Sequence, residues 1–292
     1  MRQKRHTLVK TVTWKSLPFG LAAAALFAWG PAASAEQQSG QTPAQNLSND
    51  GDPCRLQDDK RPHVVFMIGE REYDTKTSLP EFAKSELAPL GFRTTFVHVA
   101  KEDRNDFPGL EALRGADLLV ISVRRRTPKK AQLNAVRDYV KSGRPIVGLR
   151  TASHAFDRKP PGDDYAAWPK FDDEILGGDY QGHYGGQTKA LVRLTKAGRK
   201  HPIMRGVTTD EFPVTTHLYR NRNMAATTTT LMTGQVAGRE KTTEPVCWVN
   251  DRKGQRVFYT SLGGPGDFRI AAFRRVLLGA ICWTTGKPNP EE

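Results

Sequence analysis

The chain has 292 residues, with 44 Lys and Arg against 31 Asp and Glu for a net charge of +13, and three cysteines, Cys54, Cys247 and Cys282. The basic residues are scattered apart from Arg124-Arg125-Arg126 and accompany no nucleic-acid-binding motif, so the charge is a solvated surface and not a DNA- or RNA-binding face. No Cys-x-x-Cys or Cys/His zinc spacing occurs, which excludes a zinc module, and Cys247 and Cys282 fall in apolar segments where small buried thiols are expected.

In chain order, residues 1–35 have the pattern of an export signal. Arg2, Lys4, Arg5, Lys10 and Lys15 form a positive start, Leu17 to Trp29 an apolar stretch, and Ala33-Ser34-Ala35 a small-residue cleavage site. The apolar stretch is broken by Pro18 and Gly20 and is too short for a stable membrane anchor. Cleavage after Ala35 removes five of the 44 basic residues and none of the 31 acidic ones, so 39 against 31 leaves +8 on the mature chain. The expectation is an exported protein, periplasmic or extracellular. Residues 36–61 are polar and Gly/Pro-rich, a disordered linker by composition. Residues 62–286 are long enough for one α/β domain with its own core, and 287–292 form a short tail.

His63 to Ile68 is a continuous apolar run, as expected of a strand covered on both faces, and it ends in the charged loop Gly69-Glu70-Arg71-Glu72-Tyr73. Ser78-Leu-Pro-Glu81 has the spacing of a capping box and predicts a helix from there to Leu90. Strands follow at Phe92–Val99 and Ala116–Val123, with a short helical turn at Leu110–Arg114 between them. A helix then runs from Thr127-Pro128 to Gly143, and Pro145–Leu149 is a fourth strand. This alternation predicts a doubly wound, mainly parallel sheet. Beyond it, the pattern predicts a helix over Trp168–Leu176 and strands over Lys189–Leu194, Phe212–Leu218, Thr228–Met232, Pro245–Val249 and Arg256–Ser261. An amphipathic helix over Ile270–Thr284 closes the domain.

Gly148-Leu-Arg-Thr-Ala152 lies where a strand turns sharply into a helix, the context of a nucleophile elbow. Its central residue is Arg150, and a guanidinium that stays protonated cannot attack a carbonyl. A fixed cation there suits binding of a carboxylate, a phosphate or a developing oxyanion.

Gly148-Leu-Arg-Thr-Ala-Ser-His-Ala-Phe156, Leu176-Gly-Gly-Asp-Tyr-Gln-Gly-His183, His201-Pro-Ile203, Glu244-Pro-Val-Cys-Trp-Val249 and Arg256-Val-Phe-Tyr-Thr-Ser-Leu-Gly263, in that order, resemble the ThuA-like (trehalose utilisation) family. The resemblance implies the flavodoxin-like fold of the class I glutamine amidotransferase-like superfamily and a link to sugar metabolism, with a partner sugar dehydrogenase as one source of a keto-sugar. Two positions depart from the pattern. Many relatives have His where this chain has Arg150, and Ser-Leu-Gly-His where it has Ser261-Leu262-Gly263-Gly264. The missing elbow cysteine argues against glutaminase chemistry.

The expected site is the C-terminal edge of the sheet. His154, His183, Glu70 and Glu72 are candidate catalytic acids and bases. Arg150, Thr151, Ser153, Tyr180, Tyr184 and Asp267 are candidate substrate-binding residues, with the tyrosines and Trp168 able to stack on sugar rings. No cofactor is implied; His154, His183 and a carboxylate could take a divalent metal, although nothing in the spacing selects one. The expected ligand is a small carbohydrate or keto-sugar, processed by hydrolysis or isomerisation; the alternative is a non-catalytic carbohydrate-binding protein of the same fold.

Overall fold

The computed structural model of the protein describes residues 59–185, 189–214, 216–239 and 241–290. Residues 1–35, read above as an export signal, nearly all of the expected linker, Cys54 and the last two residues lie outside them. Among the described residues, no helix is long and apolar enough to cross a membrane.

The apolar runs become the strands β1 (His63–Gly69), β3 (Leu118–Val123) and β4 (Ile146–Leu149), every residue of which is buried. Alternate side chains enter two separate cores. Val64, Phe66 and Ile68 pack on one face with the helices α1 (Thr75–Phe82) and α3 (Ala271–Thr285). Val65 and Met67 pack on the other with α2 (Lys130–Lys141). A sheet buried on both faces by helices is the doubly wound α/β arrangement.

With β2 (Arg93–His98) and β11 (Gln255–Thr260), the parallel part has the order β2-β1-β3-β4-β11, that of a flavodoxin-like sheet. Beyond β11 the same sheet continues antiparallel through β10 (Glu244–Arg252), β9 (Thr228–Val236), β6 (Ala190–Leu194) and β7 (Glu211–Val214). A separate ribbon pairs β5 (Tyr180–His183) with β8 (Tyr219–Asn221).

Three local expectations differ from what is observed. The helix predicted from Ser78 starts at Thr75, with Pro80 inside it. The Glu70 carboxylate sets that start by accepting the amides of Glu72, Tyr73 and Thr75 at 2.6–2.8 Å, a cap from outside the helix. The helix over Trp168–Leu176 shrinks to one wide turn at Asp172–Leu176, closed by Gly177 N–H to Asp172 O at 2.8 Å. The strand expected over Phe212–Leu218 ends at Val214 as β7 in the large sheet, Thr216 after it is bonded through Oγ1 to Asp267, and the unexpected β8 begins only at Tyr219, in the ribbon. Cys247 and Cys282 are buried, as expected.

Gly148 in β4 sits under the turn that ends the strand. A Cβ added there would lie 2.9 Å from Leu176 Cδ2 and 3.0 Å from Tyr259 Cδ2. Gly148→Ala is therefore expected to destabilise the protein by about 1–3 kcal/mol, read as a lower urea midpoint at unchanged slope.

Candidate functional site

The backbone at the end of β4 changes from extended at Leu149 (φ −116°) to left-handed at Arg150 (φ 43°), a strained elbow at a residue that is not glycine. Such a conformation costs about 1–3 kcal/mol and persists only when its surroundings hold it. Here the Tyr259 hydroxyl donates to Arg150 O at 2.7 Å. The Arg150 side chain is 1% exposed; Nη1 donates to Ser261 O at 2.6 Å, with His217 O at 3.4 Å from both Nη atoms. Its planar face lies between the rings of Tyr73 (4.1 Å) and Tyr219 (4.5 Å). One cation thus joins the elbow, the end of β11, the segment before β8 and the loop after β1.

His154 closes the short turn that follows. It is 5% exposed and stacks on Tyr180 at 4.5 Å, with Tyr219 at 5.9 Å. Burial, then the charges of Arg125, Arg124, Arg150 and His183, push its pKa down to about 3, so the imidazole is neutral at physiological pH. Ser153 Oγ donates to Arg150 O at 3.3 Å and lies 3.1 Å from His154 Nδ1. Further out, the exposed His183 stacks on His217 at 5.0 Å and reaches Tyr219 at 6.4 Å. The rim therefore gathers Arg150, Ser153, His154, Tyr180 and His183 from the sequence expectation, together with Tyr73, His217 and Tyr219.

Those three were not singled out from the sequence. Tyr73 and His217 lay in a charged loop and a presumed strand, and only tertiary folding brings them to β4.

The remaining candidates are placed differently. Both Glu70 oxygens are occupied, by three amides and the Thr75 hydroxyl. Glu72 is exposed and pairs with Arg124 at 3.1 Å. Thr151 is fully buried beneath the turn. Asp267 is also fully buried, and its Oδ2 accepts from Thr216 Oγ1 and from the amides of Gly263 and Gly264. That cradle bears on the second departure from the family pattern: a Cβ at Gly264 would lie 1.9 Å from Thr216 Cγ2, so no histidine fits there without moving the His217 segment. Tyr184 turns away, donating to the buried Glu244 at 2.8 Å under Arg220. Trp168 donates to Glu174 at 2.7 Å and packs against the second core, not the rim. Among the described residues, no three His, Cys, Asp or Glu side chains are grouped to hold a metal ion.

Asp172 anchors the ribbon behind His154. Its Oδ2 accepts from Tyr180 N at 2.9 Å, and burial, first among its causes, pushes its carboxyl pKa up to about 7.

A family model for ThuA, described as trehalose utilisation, matches residues 63–284. Solved structures of similar fold include ThuA-like proteins of Bacteroides uniformis (18% identity, TM-score 0.56, covering 82% of this chain and 99% of that one) and Parabacteroides merdae (16%, 0.54, 80% and 93%). A third is Agd3, a carbohydrate deacetylase (15%, 0.51), of which this chain spans only 32%. No curated protein matches the sequence.

The two perturbed groups oppose each other in their effect on stability. His154, depressed in the fold, adds stability that is present above its unfolded pKa of about 6.5 and lost as pH falls towards 3. Asp172, raised in the fold, adds stability that is full below 3.8 and lost as pH rises to about 7. Asp172→Asn should remove the second slope. Its urea midpoint relative to wild type should rise between pH 4 and 7 and stay level above; a constant difference over that range would contradict this assignment.

Proposed function

The chain belongs to the ThuA family, described as trehalose utilisation, and from that membership we propose that the rim around His154 binds a sugar or keto-sugar and acts on it by proton transfer, in hydrolysis or isomerisation. The observation that carries the reading is the neutral, buried His154, 3.1 Å from Ser153 Oγ through Nδ1 and stacked on the ring of Tyr180. A solved protein of the same fold described as a carbohydrate deacetylase supports a carbohydrate ligand. Tyr180, with an apolar face and a polar hydroxyl, suits a pyranose ring. His183 and His217 at the mouth are placed to pass protons to solvent. Arg150 acts as a fixed positive charge beneath a developing oxyanion and not as a donor to it, because its Nη atoms are turned to the Ser261 and His217 carbonyls. Glu72 is the carboxylate open to a substrate, and Glu70 holds the loop that carries it.

One observation favours a second reading, binding without chemistry: the elbow position holds Arg150 in place of a nucleophile, and its Nη atoms and both Glu70 oxygens are already engaged. Turnover on a panel of glycosides and 3-keto-glycosides separates the two. His154→Gln should lower kcat by about 10²–10⁴-fold while the protein stays folded. Equal turnover in variant and wild type would remove the role of His154. Thermal stabilisation by a sugar that is recovered intact would favour the binding protein.

The proposal includes export with cleavage after Ala35, and a sugar dehydrogenase as the partner that supplies a keto-sugar. N-terminal sequencing of the secreted or periplasmic protein should begin at Glu36; an intact Met1 in the mature protein would refute the export step.

A further inference from the structure

Three arginines follow β3, and their backbone is tied to the turn that carries His154. Arg125 N donates to His154 O at 2.9 Å, and Arg126 N donates to Ala155 O at 2.7 Å. Arg125 is left-handed (φ 50°), so successive side chains of this triplet diverge. Arg124 turns to Glu72, and Arg125 is exposed. Arg126 goes inward. Its side chain is 5% exposed, its Nε has no hydrogen-bond partner among the described residues, and its Nη1 has a single long contact, Arg125 O at 3.5 Å. A buried guanidinium with no paired anion is costly, and proteins retain one where something else supplies the negative charge.

The surroundings make the want of an anion larger. After burial, the charges that bear most on Arg126 are Arg104, Arg71, Arg124 and Arg158, which together bring its pKa down to about 10. These come from the loops after β1, β2, β3 and β4, all at the C-terminal edge of the parallel strands. Of the acids at the same edge, Glu70 holds amides, Asp103 accepts from Tyr165 and Asn105, and Asp106 accepts from Lys129 and Gln132, while the charge of Arg125 bears on Asp157 ahead of those of Arg124 and Arg158.

We propose that Arg126, ringed by Arg71, Arg104, Arg124 and Arg158, is the floor of an oxyanion-binding subsite next to His154, and that the substrate is an anionic carbohydrate whose phosphate or carboxylate docks there. Adjacent strand ends lie ~5 Å apart, so a sugar over His154 at β4 can place a charged substituent at β3. Planar guanidinium forks match both phosphate and carboxylate. The substrate half of this inference rests on the carbohydrate reading above; the subsite itself does not.

The test takes the mature chain and inorganic phosphate as the probe, with chloride at equal ionic strength as reference. Phosphate well above its Kd should raise the thermal midpoint by roughly 2–4 °C. Arg126→Met, which keeps the stem and removes the charge, should abolish that rise while its midpoint in chloride is unchanged or higher. Arg104→Ala and Arg158→Ala, at exposed positions outside the core, should each weaken phosphate binding severalfold and serve if Arg126→Met does not fold. Equal midpoints in phosphate and chloride for the wild type, or a phosphate shift retained in all three variants, would overturn the subsite. Glucose, gluconate and glucose 6-phosphate then identify the source of the anion: a response to gluconate assigns a sugar acid, one to glucose 6-phosphate a sugar phosphate. A response to glucose without one to phosphate removes the subsite and keeps the carbohydrate proposal. A response to phosphate without one to any sugar keeps the subsite and removes the anionic sugar.

Discussion

A guanidinium cannot give up its charge at any physiological pH, so burying Arg150 obliges the rest of the domain to surround it. The carbonyls of Ser261 and His217 and the rings of Tyr73 and Tyr219 do so; they come from three separated parts of the chain, which with the elbow make four segments joined by one cation. The same contacts hold the left-handed backbone at Arg150, which in turn points Ser153 and His154 towards the rim. Remove the charge and the four segments lose their common partner. The elbow has the shape of a nucleophile-bearing turn, yet the residue at its centre serves assembly and electrostatics.

That electrostatic setting shapes the chemistry open to the site. His154 is neutral because burial and the surrounding arginines both disfavour a second positive charge. A neutral imidazole held against protonation is a weak base, so proton removal there relies on negative charge building up where the arginines can stabilise it. The aromatic layer of Tyr180 and Tyr219 keeps the imidazole stacked and largely dry. Asp172 lies behind this layer and keeps its proton to about neutral pH, so the ribbon that carries Tyr180 is anchored by a group that titrates in the working range.

Fold class was legible because a strand buried on both faces is apolar at nearly every position. His63–Ile68, Ala116–Val123 and Pro145–Leu149 show this, with only His63, Asp117 and Ser122 polar, and the helices between them carry ordinary apolar stripes. The ordered motifs carried the family, which the match over residues 63–284 bears out. Less was legible where pairing is antiparallel and half-exposed. Tyr180–His183 has glycine and polar residues at strand positions, and its partner, Tyr219–Asn221, is a three-residue strand too short to give a pattern. The start of α1 was misplaced for a related reason: its cap is the Glu70 carboxylate, a residue that no capping pattern includes.

By itself, then, the sequence determined the α/β class, the succession of the first four strands along the chain and the presence of Arg150 and His154 at one strand end, because periodicity and local turn chemistry are properties of neighbouring residues. The tertiary structure decided which side chains share that end. Tyr73, His217 and Tyr219 converge on Arg150 from distant segments, Tyr184 turns away to Glu244, and Glu70 is consumed by its own loop. Those outcomes follow from satisfying one buried cation and a set of buried amides. Such demands are met by whatever groups the fold brings near, and the chain's local pattern carries no trace of them.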